Sequence, residues 1–329
     1  MTDGSRPAEP VFVALSGGLG NQLFQLAAGL FVAGGAPVVL ESGFLSPRQW
    51  LPGRPDVAGF RLPSSVSLLA PGSTERPGRA ARLGVRFAMR SGLVPGRWDA
   101  RPAVRRAAAR ISGRLTARHL GCRCAVVGAS GHGYDPALET VRSPLLLVGY
   151  FQTWRYAAAA DVLPVLLRLS AHSEDPWIIE MQELAEGERP LVVHVRLGDY
   201  RHDDDFGIPG SEYYSQAFNR FTAGRDYGRI WLFSDEPENA LERMPMEIQT
   251  ASPRLIKAPE SVDPAGLLAV MRCGRGFILT NSTFGYWAAL LSGCAEDLVS
   301  IPDPWFSGLS PFVDFAPSGW LRLPGAHRS

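Results

Sequence analysis

Lysine is almost missing from this chain. Lys257 is the only one, so the 33 cationic side chains are otherwise arginine, set against 32 acidic ones for a net charge of +1. That balance excludes a surface tuned as a whole to nucleic acid. Cysteine is scarce as well: Cys122, Cys124, Cys273 and Cys294 fit neither a disulfide framework nor a zinc-ligand spacing. No apolar run reaches the ~18 residues of a membrane span. The opening MTDGSRPAEP is too polar for a secretory leader. Hydrophobic residues make up 46% and charged ones 20%, so large cores can be buried and no disordered class is implied. A cytoplasmic protein of about two domains is the expectation.

The arginines are unevenly placed. Thirteen fall between Arg76 and Arg123, with Glu75 just before and Asp99 within. Arg82, Arg86 and Arg90, then Arg106, Arg110, Arg114 and Arg118, recur every four residues, which on a helix is one side. This Arg-rich helical insert, about 76–123, is either a solvated face or a surface for anionic lipid or a lipid-linked acceptor. On the second reading Arg106, Arg110 and Arg114 make a peripheral contact with the inner face of the membrane.

Apolar runs outline two α/β series. A strand at 11–15, the loop SGGLGNQ, a helix at 23–33 and a strand at 36–40 read as β-loop-α-β. Residues 42–75 are rich in Gly, Pro and Ser and read as loops. Strands are expected at 124–128 and 145–151, and helices at 157–168 and 177–186. A second series starts with a strand at Leu191. Its expected helices are 210–222, 238–244, 264–272 and 284–292; its strands are 229–233, a short one at 247–250, and 276–280. The domains are then 1–170, an N-terminal α/β domain, and 171–329, a C-terminal one.

Chemistry is sought where buried parallel strands end, because ligands of such sheets bind beyond the carboxyl ends. The run LVVHVRLGDY (191–200) stays apolar around His194 and then exits into Arg196, Gly198 and Asp199. A guanidinium beside a glycine suits a phosphate oxygen. It equally suits an Arg–Asp pair that ties down a loop. In the first loop, Gly17-Gly18-Leu19-Gly20-Asn21-Gln22, glycines admit a phosphate or sugar close to the backbone, or merely make a tight turn. It is no P-loop, since no Gly-Lys-Ser/Thr follows, and Leu23 replaces the third small residue of a dinucleotide fingerprint. Further exits are Gly149-Tyr150-Phe151-Gln152, Ser234-Asp235-Glu236 and Thr280-Asn281-Ser282-Thr283. The last puts hydroxyls and N–H groups at a helix N-terminus, either a phosphate cradle or ordinary capping.

Taken together the blocks GGLGNQLFQLA, GYFQTWRYA (149–157), VVHVRLGDY (192–200), EYYSQAF (212–218), WLFSDEPENA (231–240) and MRCGRGFILTNSTFGYWAALLSG (271–293) resemble the α-1,2-fucosyltransferases, glycosyltransferase family 11. Their order covers nearly the whole chain except about 42–145. The resemblance implies a GT-B-type architecture, two Rossmann-like domains facing a central cleft, with the donor GDP-β-L-fucose held mainly by the second. It implies inversion at the sugar carbon, a galactoside acceptor on the N-terminal side, and no cofactor or essential metal. Carried over, Arg196 would meet the β-phosphate, with Asp199 as the acceptor's base or an orienting carboxylate. His194, Asp235, Asn281, Ser282 and Thr283 would bind the donor, and Gly18, Gly20, Asn21 and Gln22 would face it from the first domain.

Two positions depart from the family pattern. Leu197 stands where the family places a second Arg, and Gly266 stands where it commonly carries an Asp, with Asp263 as a nearby substitute. A different GDP-deoxyhexose donor, or a sugar-nucleotide- or glycan-binding protein without turnover, are the alternatives these invite. A metal-dependent transferase using Asp203-x-Asp205 competes with a plain acidic loop. An NAD-dependent oxidoreductase is disfavoured by the incomplete fingerprint.

Overall fold

Strands that read as unbroken apolar runs can be buried on both faces, and that requires helices on both sides of a parallel sheet. A computed structural model of the chain describes residues 9–42, 55–69, 124–127, 133–141, 145–172, 174–198, 200, 207–223, 227–305, 314–325 and 327–328. The Arg-rich insert at 76–123, Asp199, and Asp203 to Asp205 lie outside the described residues. Contacts divide the chain into two units, Met1–Leu169 and Ser170–Ser329.

In the first unit, β1 (Val11–Ala14), β2 (Val38–Glu41), β3 (Val66–Leu68), β4 (Cys124–Val127) and β5 (Leu145–Val148) form one sheet. Its order is β3-β2-β1-β5-β4 and every pair is parallel. Helix α1 (Leu19–Ala33) follows β1 and buries Leu23, Phe24, Leu26 and Ala27. It starts at Leu19, inside the segment expected to be loop. Gly18 takes an extended N-cap conformation, and its carbonyl accepts from the Asn21 and Gln22 amides at 3.0 and 3.1 Å. The helix stops where Gly34 turns left-handed at φ 50°.

Other expectations need correcting. Residues 42–75 are not all loop: a 3₁₀ turn, Asp56–Gly59, buries Val57, Ala58 and Gly59, and β3 completes the sheet. The single helix expected at 157–168 is two short ones, α2 (Trp154–Ala157) and α3 (Leu163–Leu167). Pro164 would break a helix interior, so the chain restarts with the proline in the first turn.

The second unit contains α4 (Pro176–Glu188), β6 (Leu191–Val195), β7 (Ile208–Pro209), α5 (Ser211–Thr222), β8 (Ile230–Ser234), α6 (Pro237–Glu242), α7 (Met246–Thr250), β9 (Arg254–Ile256), α8 (Pro264–Met271), β10 (Gly276–Ile278), α9 (Thr283–Ser292), β11 (Val299–Asp303), β12 (Leu321–Pro324) and β13 (His327–Arg328). Its six-stranded sheet runs β12-β11-β10-β6-β8-β9, all parallel. Read from β6 outward this is the 3-2-1-4-5-6 order of a Rossmann unit, which reverses between β6 and β10. All five residues of β6 are buried. Tyr213, Tyr214, Ala217 and Phe221 of α5 pack with Leu191, Val193 and Leu232 in one core.

The strand expected at 247–250 is helix α7. Pro245 precedes it, Glu247 sits in its first turn where the dipole favours a carboxylate, and only Ile248 is buried. The expected α/β class, with two parallel-sheet units, is what the chain adopts.

Candidate functional site

The reversal between β6 and β10 puts two strand exits side by side on the carboxyl edge of the second sheet. Strand β6 leaves through Arg196, Leu197 and Gly198, and β10 leaves through Leu279 to Ser282 into α9. His194 is on β6, 6% exposed, with its carbonyl accepting the Thr280 amide at 3.1 Å. Its Nδ1 has no hydrogen-bond partner among the described residues. A Cβ added to Gly285 would stand 2.3 Å from that nitrogen, so α9 rests against the imidazole through bare backbone. Burial, and then the charge of Arg196, push the imidazole pKa down to about 3 despite the opposing pull of Asp235. His194 is therefore neutral at physiological pH.

Arg196 is 39% exposed, and its Nη1 lies 3.4 Å from Asp235 Oδ2. Asp235, at the end of β8, is more than a counter-ion. Its Oδ1 accepts the Leu197 amide at 3.0 Å and its Oδ2 the Gly198 amide at 2.9 Å. Gly198 has to be glycine for this: a Cβ there would stand 2.6 Å from Asp235 Oδ2. Burial works to raise the carboxyl of Asp235, but the Leu197 amide, the Arg196 charge and the Gly198 amide hold it below its ordinary value. Asp235 thus shapes the β6 exit and holds the guanidinium of Arg196 at the sheet edge.

Helix α9 begins beside it. Ser282 is the N-cap, 7% exposed, and its hydroxyl makes no capping bond to the helix. Thr283 is the first helical residue and half-buried. Asn281 is fully buried: its Nδ2 donates to the Gly207 carbonyl at 3.1 Å and its Oδ1 accepts from the Thr280 hydroxyl at 3.0 Å. Its own carbonyl accepts from the Tyr200 hydroxyl at 3.2 Å. Asn281 therefore ties Tyr200 and Gly207 to the β10 exit. Among the described residues this edge carries the Arg196 guanidinium with its Asp235 partner, a helix N-terminus with two hydroxyls, and a neutral imidazole, a set that suits an anionic group.

The two departures are core positions. Leu197 is fully buried among Val195, Tyr213 and Tyr214. Gly266 lies in the first turn of α8 against α4, where a Cβ would come 2.6 Å from Ile178 Cδ1. Asp263 caps α8, its Oδ1 accepting the Gly266 amide at 2.8 Å.

The first sheet reverses between β1 and β5. Gln25 joins their exits, donating to the Gly149 carbonyl at 2.9 Å and accepting the Ser16 amide at 3.0 Å. Gly20 and Gln22 are buried, and Gln22 donates to the Gly17 carbonyl at 2.9 Å. Gly18 is exposed and Asn21 half-buried, with Asn21 Oδ1 accepting from Gln152 at 2.8 Å. Phe151 adopts φ 51° at this exit, a left-handed conformation uncommon for a large residue. Asp56, which the sequence reading passed over, sits here too, 3.5 Å from Gln22 Nε2. Its only signal was the apolar island Val57-Ala58 in a loop-rich stretch.

Residues 179–304 match the model of the family described as Glycosyl transferase family 11. The chain is a glycosyltransferase. The matched segment begins in α4 and ends after β11, so it contains the whole edge built on Arg196 and α9. No curated protein matches the chain. Among solved structures it is similar to the fucosyltransferase NodZ from Bradyrhizobium, at 14% identity over 87% of this chain and 94% of that one, with a TM-score of 0.46. It is also similar to the ADP-heptose lipopolysaccharide heptosyltransferase II of E. coli (11%, 95% and 90%, TM-score 0.47). A third is POFUT1 in complex with GDP-fucose (12%, 88% and 96%, TM-score 0.41). These likenesses are weak, and neither the donor nor the linkage follows from them.

Proposed function

We propose that this glycosyltransferase moves L-fucose from GDP-β-L-fucose to a hydroxyl of a galactoside, in α-1,2 linkage and with inversion, without an essential metal. The observation that carries the reading is the juxtaposition of Arg196 with the N-terminus of α9 at the reversal point of the family-matched Rossmann unit. Negative charge grows on the departing diphosphate as the sugar C1–O bond breaks and the acceptor oxygen attacks. A fixed guanidinium and oriented N–H groups aimed at that charge favour the transition state over the ground state. Ser282 and Thr283 supply hydroxyl and amide donors beside it. Neutral His194 supports the nucleotide without adding charge. Asp199 is the base candidate of the motif, and the Arg-rich insert the candidate contact with a lipid-linked acceptor at the membrane. Among the described residues no helix is long and apolar enough to cross one.

The donor class is tested by thermal shift with GDP, UDP, dTDP and GDP-fucose. Ligand binding to the native state alone raises the melting temperature in proportion to RT ln(1 + [L]/Kd). Selective stabilisation by GDP and GDP-fucose is expected; equal or greater stabilisation by UDP or dTDP would overturn the assignment.

A further inference from the structure

Strand register, rather than the motif, brings Asp235 to Arg196. Strands β6 and β8 run parallel with Val195 opposite Ser234, so the next residue of each, Arg196 and Asp235, leave the sheet side by side. Asp235 is also held from its own chain. The Ser234 hydroxyl donates to its Oδ1 at 3.3 Å and accepts the Glu236 amide at 3.0 Å, just before α6 begins at Pro237. From that position each carboxylate oxygen reaches across to β6. Oδ1 accepts the Leu197 amide, and Oδ2 accepts the Gly198 amide and lies against Arg196 Nη1. Two consecutive amides of the kind that can cradle a phosphate oxygen are thus taken by the protein's own carboxylate.

An ionised carboxylate only accepts hydrogen bonds, and so do the oxygens of an ionised diphosphate. Asp235 therefore offers a diphosphate no direct bond, and its charge alone repels one. Whatever it gains for an anion at this edge passes through the groups it holds. We propose that Asp235 is a positioning residue: it fixes the β6 exit at Leu197 and Gly198 and sets the guanidinium of Arg196 for the diphosphate of the nucleotide, which it does not itself touch. Gly198 belongs to the same arrangement, since a Cβ there would stand 2.6 Å from Asp235 Oδ2 and displace the carboxylate. The inference rests on the nucleotide-diphosphate part of the reading above and deepens it. It requires neither a particular sugar nor a particular acceptor.

The test is a double-mutant cycle in binding on the full chain. GDP and UDP are titrated calorimetrically into the unsubstituted protein, Asp235→Asn, Arg196→Ala and the double variant. Residues that act through one another give non-additive losses. Expected is a loss of GDP affinity of about tenfold for Asp235→Asn on the unsubstituted protein, shrinking to less than about twofold once Arg196 is alanine. A merely structural aspartate would weaken GDP equally in both backgrounds, and equal losses would overturn the proposal. So would an Asp235→Asn variant that binds GDP as tightly as the unsubstituted protein, or more tightly. Gly198→Ala displaces the carboxylate without removing it; its loss should depend on Arg196 in the same way, and it decides the matter if Asp235→Asn unfolds. Preference of the unsubstituted protein for UDP would overturn the donor reading, and the cycle run with UDP would then decide the role of Asp235. Binding of neither nucleotide would overturn both.

Discussion

At Arg196 the sequence left two roles open, a phosphate ligand and one half of an Arg–Asp pair, and the structure shows such a pair, with Asp235. One described partner is Asp235, far along the chain and reachable only because β6 and β8 are neighbours. A motif read along the chain points to adjacent Asp199; a partner supplied by strand pairing is invisible until the strand order is known. At 3.4 Å from a carboxylate that also accepts two backbone amides, the guanidinium is held at the sheet edge. Arg196→Ala should therefore lower kcat by about 10²–10³, the range for removing one electrostatic donor to a developing anion. Circular dichroism should show an intact fold, and a loss under tenfold in a donor-consumption assay would remove the role. Arg196→Lys should recover little, since an ammonium cannot reproduce the planar fork. Leu197, by contrast, was the residue of the motif that did not fit. Its full burial explains why a second arginine is absent: an unpaired guanidinium there would sit in the Tyr213–Tyr214 core.

At the scale of elements, the long apolar strands and the helices capped by Asp175 and Asp263 were legible, because burial on both faces and capping leave a local pattern. Strand β3 and helix α7 were not. Each has a single buried residue, Val66 and Ile248, too few for a period to show. The contact between α9 and β6 was equally hidden, since it depends on an absent side chain. Gly285 lets the helix sit on His194, and a methyl there would press on the Nδ1 edge of a buried ring. Alanine gains about 1 kcal/mol over glycine in a helix, whereas overpacking a core costs about 1–3 kcal/mol. Gly285→Ala should thus lower the melting temperature and weaken GDP binding together. Gly187, exposed near the end of α4 with nothing within 4 Å, gives the matched control. Gly187→Ala should raise the melting temperature with GDP affinity unchanged. Equal shifts of one sign in both variants would contradict the packing argument.

Over the whole molecule, the buried site groups make stability depend on pH in two separable steps. His194 titrates at about 3 when folded against an ordinary 6.5, so below pH 6.5 the unfolded chain binds a proton that the native state does not. Its contribution is fully present above pH 6.5 and is lost progressively as pH falls toward 3. Asp235 is depressed below the ordinary 3.8, so what it contributes holds above that value and disappears only as pH falls further, through its folded pKa. Between pH 6.5 and 5 the imidazole acts alone among the site groups whose pKa is shifted, and carboxylates such as Glu188, also depressed, have yet to gain a proton. One proton difference corresponds to about 1.4 kcal/mol per pH unit. Urea unfolding followed across this window should show a slope approaching that value, which His194→Asn should flatten whatever its effect on absolute stability. An undiminished slope in the variant would mean that the acid sensitivity arises elsewhere and that the imidazole of His194 is not held neutral by burial.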